Sequence, residues 1–465
     1  MLRIVLCYPK DIIITEASAE VKLQSLLDHT VERFFSCSNN NILKNLNLEP
    51  TNLTMFYKWG CDGASGQSTY KQIYSKSAED VPYDDAFLFV ISLVPLQLKN
   101  NEEVLWQNPR PSSTRYCRSI KFLFAKETAE LTRSEIDKVQ EQIQTLYATK
   151  VYFQSKEILV NHKMLLTMVD GKVCSVLANK SFQKCYICGA VPKEMNNLAS
   201  HSTTTIDSTT LTFGLSSLHS WIRCFECLLH IAYRLEVKTW QIRKNDKESV
   251  EKRKKIIQDR FRQEMGLLVN VPKPGYGTTN DGNTARKCFS ESFLSASITG
   301  IDEELIKRFA IILRTICSGY EIDLEKFETY TLDTAKLYIQ LYNWYYMPAS
   351  VHKLLIHSRQ IVESALLPIG QLSEEAQEAR NKDCRRFREH HTRKISRESN
   401  VQDLMHMLLI TSDPLITNFR KLSPKKIEKI SEDLLLKNPP QNVEELIEEE
   451  ENSNEEFSSS SSDEI

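Results

Sequence analysis

The chain has 465 residues, 41% hydrophobic and 26% charged, so it is long enough for two to four domains with their own cores. No apolar run approaches the ~20 residues of a membrane helix, and Met1–Pro9 lacks the cleavage pattern of a secretory signal, so neither a membrane nor a secreted protein is expected. Twelve cysteines are too sparse for a disulfide scaffold, which favours reduced or metal-bound thiols.

The formal net charge of −2 hides an uneven distribution. The stretch Gln441–Ile465 holds ten acidic residues and no basic one, which leaves 51 acidic against all 59 basic residues upstream. A mildly basic body suits an anionic partner, although a nearly neutral protein with a solvating tail explains the same numbers. The tail, with its Ser458–Ser462 run, is predicted to be disordered.

Strand patterns dominate the first part of the chain. Leu53–Trp59 alternates apolar and polar residues and is predicted to stop at the turn containing Asp62-Gly63. Three further strands and one helix are predicted at Ala86–Val94, Ile120–Ala125, Met164–Val169 and, for the helix, Glu127–Tyr147. This order of elements suits an α/β, ribonuclease-H-like core.

Helical patterns dominate from Cys185 to about Glu363. The predicted helices here are His219–Val237, the basic Asn245–Met265, Ile301–Gly319 and Leu332–Tyr346, with a loop at Val271–Asn283. Leu372–Arg388 is a further helix with Ser373 as N-cap, and Leu422–Leu436 is a last amphipathic stretch. The predicted units are residues 1–50, a core over 51–184, a helical insertion over 185–363, a helical part over 364–440 and the tail over 441–465.

Three distant acidic residues form a candidate magnesium site. Asp62 and Asp170 each follow a predicted strand, and Glu378 lies on the predicted helix Leu372–Arg388. Magnesium and manganese prefer hard oxygen ligands, and two such ions can stabilise both the attacking and the leaving oxygen of a phosphodiester. Asp-Gly is also an ordinary turn signal, with a third instance at Asp281-Gly282, and most glutamates on helices are simply solvated.

Two cysteines and two histidines form a candidate zinc site. Cys185 and Cys188 supply the usual Cys-x-x-Cys half, and His352 and His357 supply a distant second half. Histidines five residues apart diverge by about 140° on a straight helix, so one of them is expected at a helix end or turn. A rival pair, Cys224 and Cys227 followed by His230, lies in an apolar helical run and is interpreted as buried thiols.

Taken together, these motifs resemble the catalytic core of the V(D)J recombinase large subunit and its Transib transposase relatives. The resemblance covers roughly 53 to 410. It rests on the segments Lys58–Gly63, Asp170, Cys185–Cys188, Gly282–Lys287, His352–His357 and Glu378–Arg388. Only 61 residues precede Asp62, so the N-terminal DNA-binding region usual in that family is expected to be missing.

The resemblance implies a ribonuclease-H-like fold with a helical, zinc-stabilised insertion. It implies that Asp62, Asp170 and Glu378 hold two Mg²⁺ (or Mn²⁺) ions that support DNA nicking and strand transfer, while Zn²⁺ on the Cys/His set is structural. It further implies double-stranded DNA as partner, a nuclear location and a chain that can act as a homodimer.

The densest basic run, Arg385–Arg397, follows Glu378 directly, where flanking DNA would lie. Lysine and arginine at this density neutralise backbone phosphates, although a solvated helix face or a nuclear-import signal has the same composition. The residues expected to contact phosphates are Asn381, Lys382, Arg385, Arg386 and Arg388.

Two other functions fit the same motifs. One is a domesticated or relic transposase that binds DNA or chromatin and keeps its carboxylates without using them. The other is a zinc-stabilised scaffold for protein interactions with no nucleic-acid role.

Overall fold

The structure is a computed structural model, and it describes residues 8–36, 52–67, 70–74, 83–153, 156–201, 205–273, 277–420 and 434–436. Within these residues the chain forms a mixed α/β fold, as the sequence predicts, with one large curled sheet and fifteen α-helices. The predicted disordered tail lies outside the described residues, as does most of the predicted stretch Leu422–Leu436.

Eight strands form the large sheet, in the spatial order β1-β2-β6-β4-β3-β8-β7 with β5 paired to β4. In chain order they are β1 Ile12–Ile14, β2 Ser18–Val21, β3 Asn52–Ser65, β4 Phe87–Asn100, β5 Glu103–Gln107, β6 Arg118–Leu123, β7 Thr149–Phe153 and β8 Lys156–Leu166. A separate short pair, β9 Pro272–Lys273 and β10 Gly277–Thr278, lies in the predicted loop at 271–283.

The central strand is β3, which is antiparallel to β4 and parallel to β8. The predicted alternation is borne out, because Met55, Tyr57 and Trp59 are buried in the core. The predicted end of this strand is wrong: pairing with β4 continues through Asp62 to Ser65, so the Asp-Gly dipeptide lies inside a strand and forms no turn.

The fifteen helices cover most of the remaining chain. They are α1 Leu23–Phe35, α2 Ala129–Gln144, α3 Gly171–Leu177, α4 Leu198–His201, α5 Ser217–Tyr233, α6 Lys247–Met265, α7 Gly282–Ser290, α8 Ser292–Thr299, α9 Glu303–Cys317, α10 Leu324–Tyr342, α11 Ala349–Ile356, α12 Ser358–Ser364, α13 Glu375–His390, α14 Arg397–Thr411 and α15 Pro414–Asn418. Short 3-10 turns occur at Thr114–Tyr116, Ser208–Phe213, Lys244–Asp246 and Ile369–Leu372.

Two helices flank the centre of the sheet. Helix α2 connects β6 to the β7–β8 hairpin and packs on β3 through its apolar side. Its N-cap is Thr128, whose hydroxyl accepts a hydrogen bond from Leu131 N at 3.1 Å. Helix α13 packs on β3 and β4. Because side chains alternate along a strand, Lys58, Gly60 and Asp62 share one face of β3.

The helical part between 185 and 364 packs around α5. Its apolar residues contact α6, α7, α9 and α11, and Trp221 on α5 meets Phe289 on α7 edge-to-face at 5.6 Å between ring centroids. Because α5 is buried, Cys224 and Cys227 lie within a largely apolar stretch of the sequence. In the part of the chain that the structure describes, no helix combines the length and apolar character needed to cross a bilayer.

Candidate metal centres

Cys185, Cys188, His352 and His357 come together in one cluster, as the sequence analysis predicts. One donor atom from each lies within 4.8 Å of the others. The Cys188 Sγ and His352 Nε2 atoms are 3.5 Å apart, and the two imidazole rings are 5.1 Å apart between centroids. The two halves of the cluster are 164 residues apart along the chain, so the cluster fastens the start of the helical part to its end.

The local backbone places these four donors. Cys185 and Cys188 lie in a tight turn closed by Gly189 N donating to Cys185 O at 2.8 Å, and Gly189 adopts φ +77, which a glycine accepts without strain. His352 lies within α11, and His357 directly follows the last residue of that helix. The expectation that one histidine sits at a helix end is therefore confirmed.

The chemistry of the four donors fits a metal such as zinc. His357 is 2% exposed, and its imidazole faces Cys188, another member of the cluster, without a well-formed hydrogen bond in the described part of the chain. A buried imidazole with so weak a partner is costly unless a ligand satisfies it. The pKa of Cys185 is lowered to about 7, chiefly by its hydrogen bond with Cys188, which favours the thiolate that binds metal.

The rival cysteine pair has a different role. Cys224 and Cys227 are both 1% exposed inside α5, and Cys227 Sγ lies 3.4 Å from the Tyr338 hydroxyl. Burial raises the pKa of both thiols well above the ordinary range. Among the described residues His230 belongs to no metal-type cluster, which agrees with the buried-thiol interpretation.

Asp62, Asp170 and Glu378 line one small pocket, although 108 and 208 residues separate neighbouring members of this set. Asp62 comes from β3 and Glu378 from the first turn of α13. Asp170 is the N-cap of α3 and accepts from Val173 N at 2.7 Å, four residues after β8 ends. The predicted strand Met164–Val169 therefore ends earlier, at Leu166, and Asp170 caps a helix as Asp281 caps α7.

The three carboxylates repel one another. Burial first, and then the charges of Glu378 and Asp170, raise the pKa of Asp62 well above its usual range, while His219 opposes the shift. One oxygen of Asp62 accepts from Asn381 Nδ2 at 2.5 Å. In the described part of the chain, only the Cys/His cluster brings three or more donors within 4.8 Å, so the carboxylates share a pocket without converging that closely.

A partly buried ion pair, which no sequence pattern indicates, borders this pocket. The Nδ1 atom of His219 lies 3.1 Å from Glu374 Oε1, and the Ser216 hydroxyl donates to the same oxygen. Burial lowers the pKa of His219, but Glu374 and then Asp170 and Asp62 outweigh that effect and raise it to about 9. The pair comes from segments 155 residues apart, and no local pattern marks either member.

Two residues of β3 hold the pocket's elements together. Lys58 is fully buried and donates from Nζ to Gln371 O at 2.9 Å and to Ser373 O at 2.7 Å, directly before α13. Burial lowers its pKa to about 8, against the opposing charges of nearby thiol and carboxyl groups. Gly60 faces the backbone of Met168, where an added Cβ would lie 2.0 Å from the carbonyl oxygen.

The predicted phosphate contacts divide into three groups. Lys382, Arg385 and Arg386 are exposed on α13, the helix that carries Glu378. Asn381 is buried, and its amide donates to Asp62, which lines the pocket.

The prediction for Arg388 is wrong. Its side chain is 4% exposed and binds Asp85 at 2.5 Å, next to Arg397 at 2.7 Å from the same carboxylate. A guanidinium inside such a network serves the fold and is not available to a phosphate.

Comparison with known proteins adds no family to these observations. No protein-family model matches the sequence, and no curated protein matches it. The geometry itself defines a mixed α/β chain that gathers a Cys₂His₂ cluster able to hold a metal such as zinc, and a neighbouring pocket lined by acidic residues.

Proposed function

We propose that the chain is a DDE-type DNA transposase or recombinase-like enzyme that cuts and joins phosphodiesters with divalent metal ions. The observation that carries this proposal is the shared pocket of Asp62, Asp170 and Glu378, three residues from a strand, a helix cap and a separate helix. Residues this far apart in sequence do not meet by local folding, and like charges held together in a partly buried pocket are typical of a cation site.

The sheet topology supports a ribonuclease-H-like core. Strands β6, β4 and β3 are consecutive antiparallel neighbours, and the chain then returns through α2 to add β8 parallel to β3. Because the two parallel strands run in one direction, Asp62 near the C-terminal end of β3 and Asp170 after the C-terminal end of β8 lie toward the same edge of the sheet, which supports the proposal. Helix α13 then crosses β3 and β4 and delivers Glu378 to that end.

In this proposal Asp62, Asp170 and Glu378 would hold two Mg²⁺ or Mn²⁺ ions. Such ions would lower the pKa of a bound water and neutralise charge on the scissile phosphate. Asp62, Asp170 and Glu378 supply hard oxygen donors, and their mutual repulsion favours any cation that enters. Asn381 orients Asp62 through its hydrogen bond, and the imidazolium of His219, held by Glu374, adds a positive charge at the wall of the pocket.

Zinc on the Cys/His cluster has a structural role in this proposal. The cluster joins the two ends of a helical insertion that lies between Asp170 and Glu378, so the third carboxylate returns to the first two. Lys382, Arg385 and Arg386 extend from α13 as contacts to DNA phosphates, in keeping with a nuclear protein. Two copies acting together as a homodimer would present two such pockets.

The decisive experiment measures nicking of supercoiled plasmid by the zinc-loaded chain with Mg²⁺ or Mn²⁺. Asp170→Asn is expected to abolish nicking, as is Asp62→Asn. Asp281→Asn is the matched control, because it makes the same substitution in another Asp-Gly dipeptide at another helix N-cap, and asparagine caps as well as aspartate. Asp281→Asn is therefore expected to keep the wild-type rate.

Three outcomes would decide between the functions. Nicking that survives Asp62→Asn refutes the carboxylate pocket as the active site. Salt-sensitive binding to duplex DNA without nicking favours a domesticated transposase that no longer cuts. Absence of such binding favours a zinc-stabilised interaction scaffold.

A further inference from the structure

The residues that directly follow two of the zinc-type ligands contact each other. Tyr186 follows Cys185, and Lys353 follows His352. The Lys353 ammonium lies 4.0 Å from the centroid of the Tyr186 ring, a favourable cation–π contact. Both residues are therefore held in place by the same cluster, one from each of its halves.

This pair packs against the helix that begins at Asp170. A Cβ added to Gly171, the first residue of α3, would lie 3.7 Å from the Lys353 Nζ atom. The Tyr186 hydroxyl is hydrogen-bonded to the Cys174 thiol on the same helix. The ammonium thus stands beside the N-terminal turn whose cap supplies the second carboxylate.

The position of Lys353 beside Gly171 puts its ammonium next to the residue that directly follows Asp170. Lys353 does not line the pocket, so it acts on the pocket through its field and leaves the space for cations open.

We propose that Lys353 is a positioned counter-charge to Asp170 that lowers the affinity of the carboxylate pocket for divalent cations, so that the Cys/His centre sets how tightly the pocket binds them. This inference rests on the proposed function, in which the carboxylates bind Mg²⁺ or Mn²⁺. It makes Lys353 a positioning residue that never touches the reacting atoms.

Coulomb's law gives the size of the effect of Lys353 on cation binding. A fixed unit charge within several ångströms of a divalent ion opposes its binding by a factor on the order of ten or more at the effective dielectric of a protein surface. The ring of Tyr186 contacts the ammonium, and a metal held by Cys185 and His352 would fix the backbone next to both residues, so the repulsion would be a constant property of the site. A phosphodiester brought into the pocket adds negative charge, which restores the affinity, so the cations bind tightly only together with an anionic substrate.

The test is a Mn²⁺ titration of the full-length, zinc-loaded chain without DNA, with free Mn²⁺ measured by electron paramagnetic resonance. Mn²⁺ is a suitable probe because it competes poorly for thiolate ligands. Lys353→Met is expected to tighten the dissociation constant about tenfold. Lys353→Arg keeps the charge and is expected to bind as the wild type does, and so is Lys193→Met, which neutralises an exposed lysine of the zinc-binding segment.

Zinc content and circular dichroism verify that each variant folds. If Lys353→Met loses zinc, Lys353→Gln makes the same charge change with a polar side chain, and the comparison is made on that variant. An unchanged or weakened affinity in the neutral variants overturns the inference while leaving the proposed function intact. If the wild-type protein binds no Mn²⁺, or if Asp62→Asn leaves its Mn²⁺ binding unchanged, the proposed function is overturned, and the inference falls with it.

Discussion

The close approach of β3 to the segment before Asp170 gives a sharp mutational test. In Gly60→Ala the new Cβ would lie 2.0 Å from Met168 O, whereas ordinary contact begins at 3.4 Å, so the two backbones must separate by about 1.4 Å. That movement stretches two hydrogen bonds, since Thr167 N and Met168 N each donate to Trp59 O at 3.1 Å. Overpacking of this kind costs about 1–3 kcal/mol and each weakened hydrogen bond about 1 kcal/mol, so we expect a loss of roughly 3–5 kcal/mol.

The displacement also separates Asp170 from Asp62. A misplacement near 1 Å is large for a catalytic constellation and costs on the order of a hundredfold in rate. Urea unfolding measures the stability, and a Mn²⁺ titration with a nicking assay measures the pocket. Gly171→Ala is the matched control, because its Cβ meets only the flexible end of Lys353, at 3.7 Å, and alanine suits a helix better than glycine. Wild-type stability and Mn²⁺ affinity in Gly60→Ala would refute this account of how the pocket is assembled.

Three further predictions concern metal, charge and pH. Metal analysis is expected to find one zinc per chain, lost in His357→Ala and kept in Cys224→Ser; equal zinc content in both variants would contradict the assignment of the cluster. Asp85→Asn strands two buried guanidinium groups and is expected to lower the free energy of unfolding by about 3–5 kcal/mol, so a loss below about 1 kcal/mol in denaturant unfolding would argue against the network. Burial lowers the pKa of His162 to about 4, from about 6.5 in the unfolded chain. The fold is therefore most stable above pH 6.5, where His162 is neutral in both states, and loses about 2–3 kcal/mol as the pH falls from 6.5 through 4. We expect His162→Gln to flatten that part of the profile of melting temperature against pH.

Much of the fold could be predicted because its signals are local. The alternation at Met55, Tyr57 and Trp59 identifies β3, and apolar periodicity identifies α5, whose residues pack inward. The end of β3 could not be predicted, because pairing with β4 decides it and Asp62-Gly63 alone reads as a turn. The predicted strand Met164–Val169 ends at Leu166 in the structure, because pairing with β3 stops there and the sequence up to Val169 does not reveal that stop.

Within the candidate site, too, some residues are marked by a local sequence pattern and others are not. Cys185 and Cys188 carry a spacing that itself suggests a metal, and the five-residue spacing of His352 and His357 led to the expected helix end. The pair formed by His219 and Glu374 carries no such signal, because it depends on two helices that only the tertiary fold brings together.

For Arg388 a local sequence pattern is present, but it suggests the wrong role. It belongs to the densest basic run of the chain, and the run predicts a surface for phosphates. Asp85, 303 residues earlier, binds Arg388 in the interior, and a sequence pattern contains no information about a partner so distant.

The two hydrogen bonds from the Lys58 ammonium affect the order in which the protein can fold during its synthesis. Its ammonium binds carbonyl groups that are synthesised 313 and 315 residues later. Until the ribosome has added those residues, this charged side chain has no acceptor inside the fold, and burying it alone is strongly unfavourable. The acidic pocket is therefore among the last parts of the molecule to close, and a nascent chain stalled before that point holds β3 without a finished site.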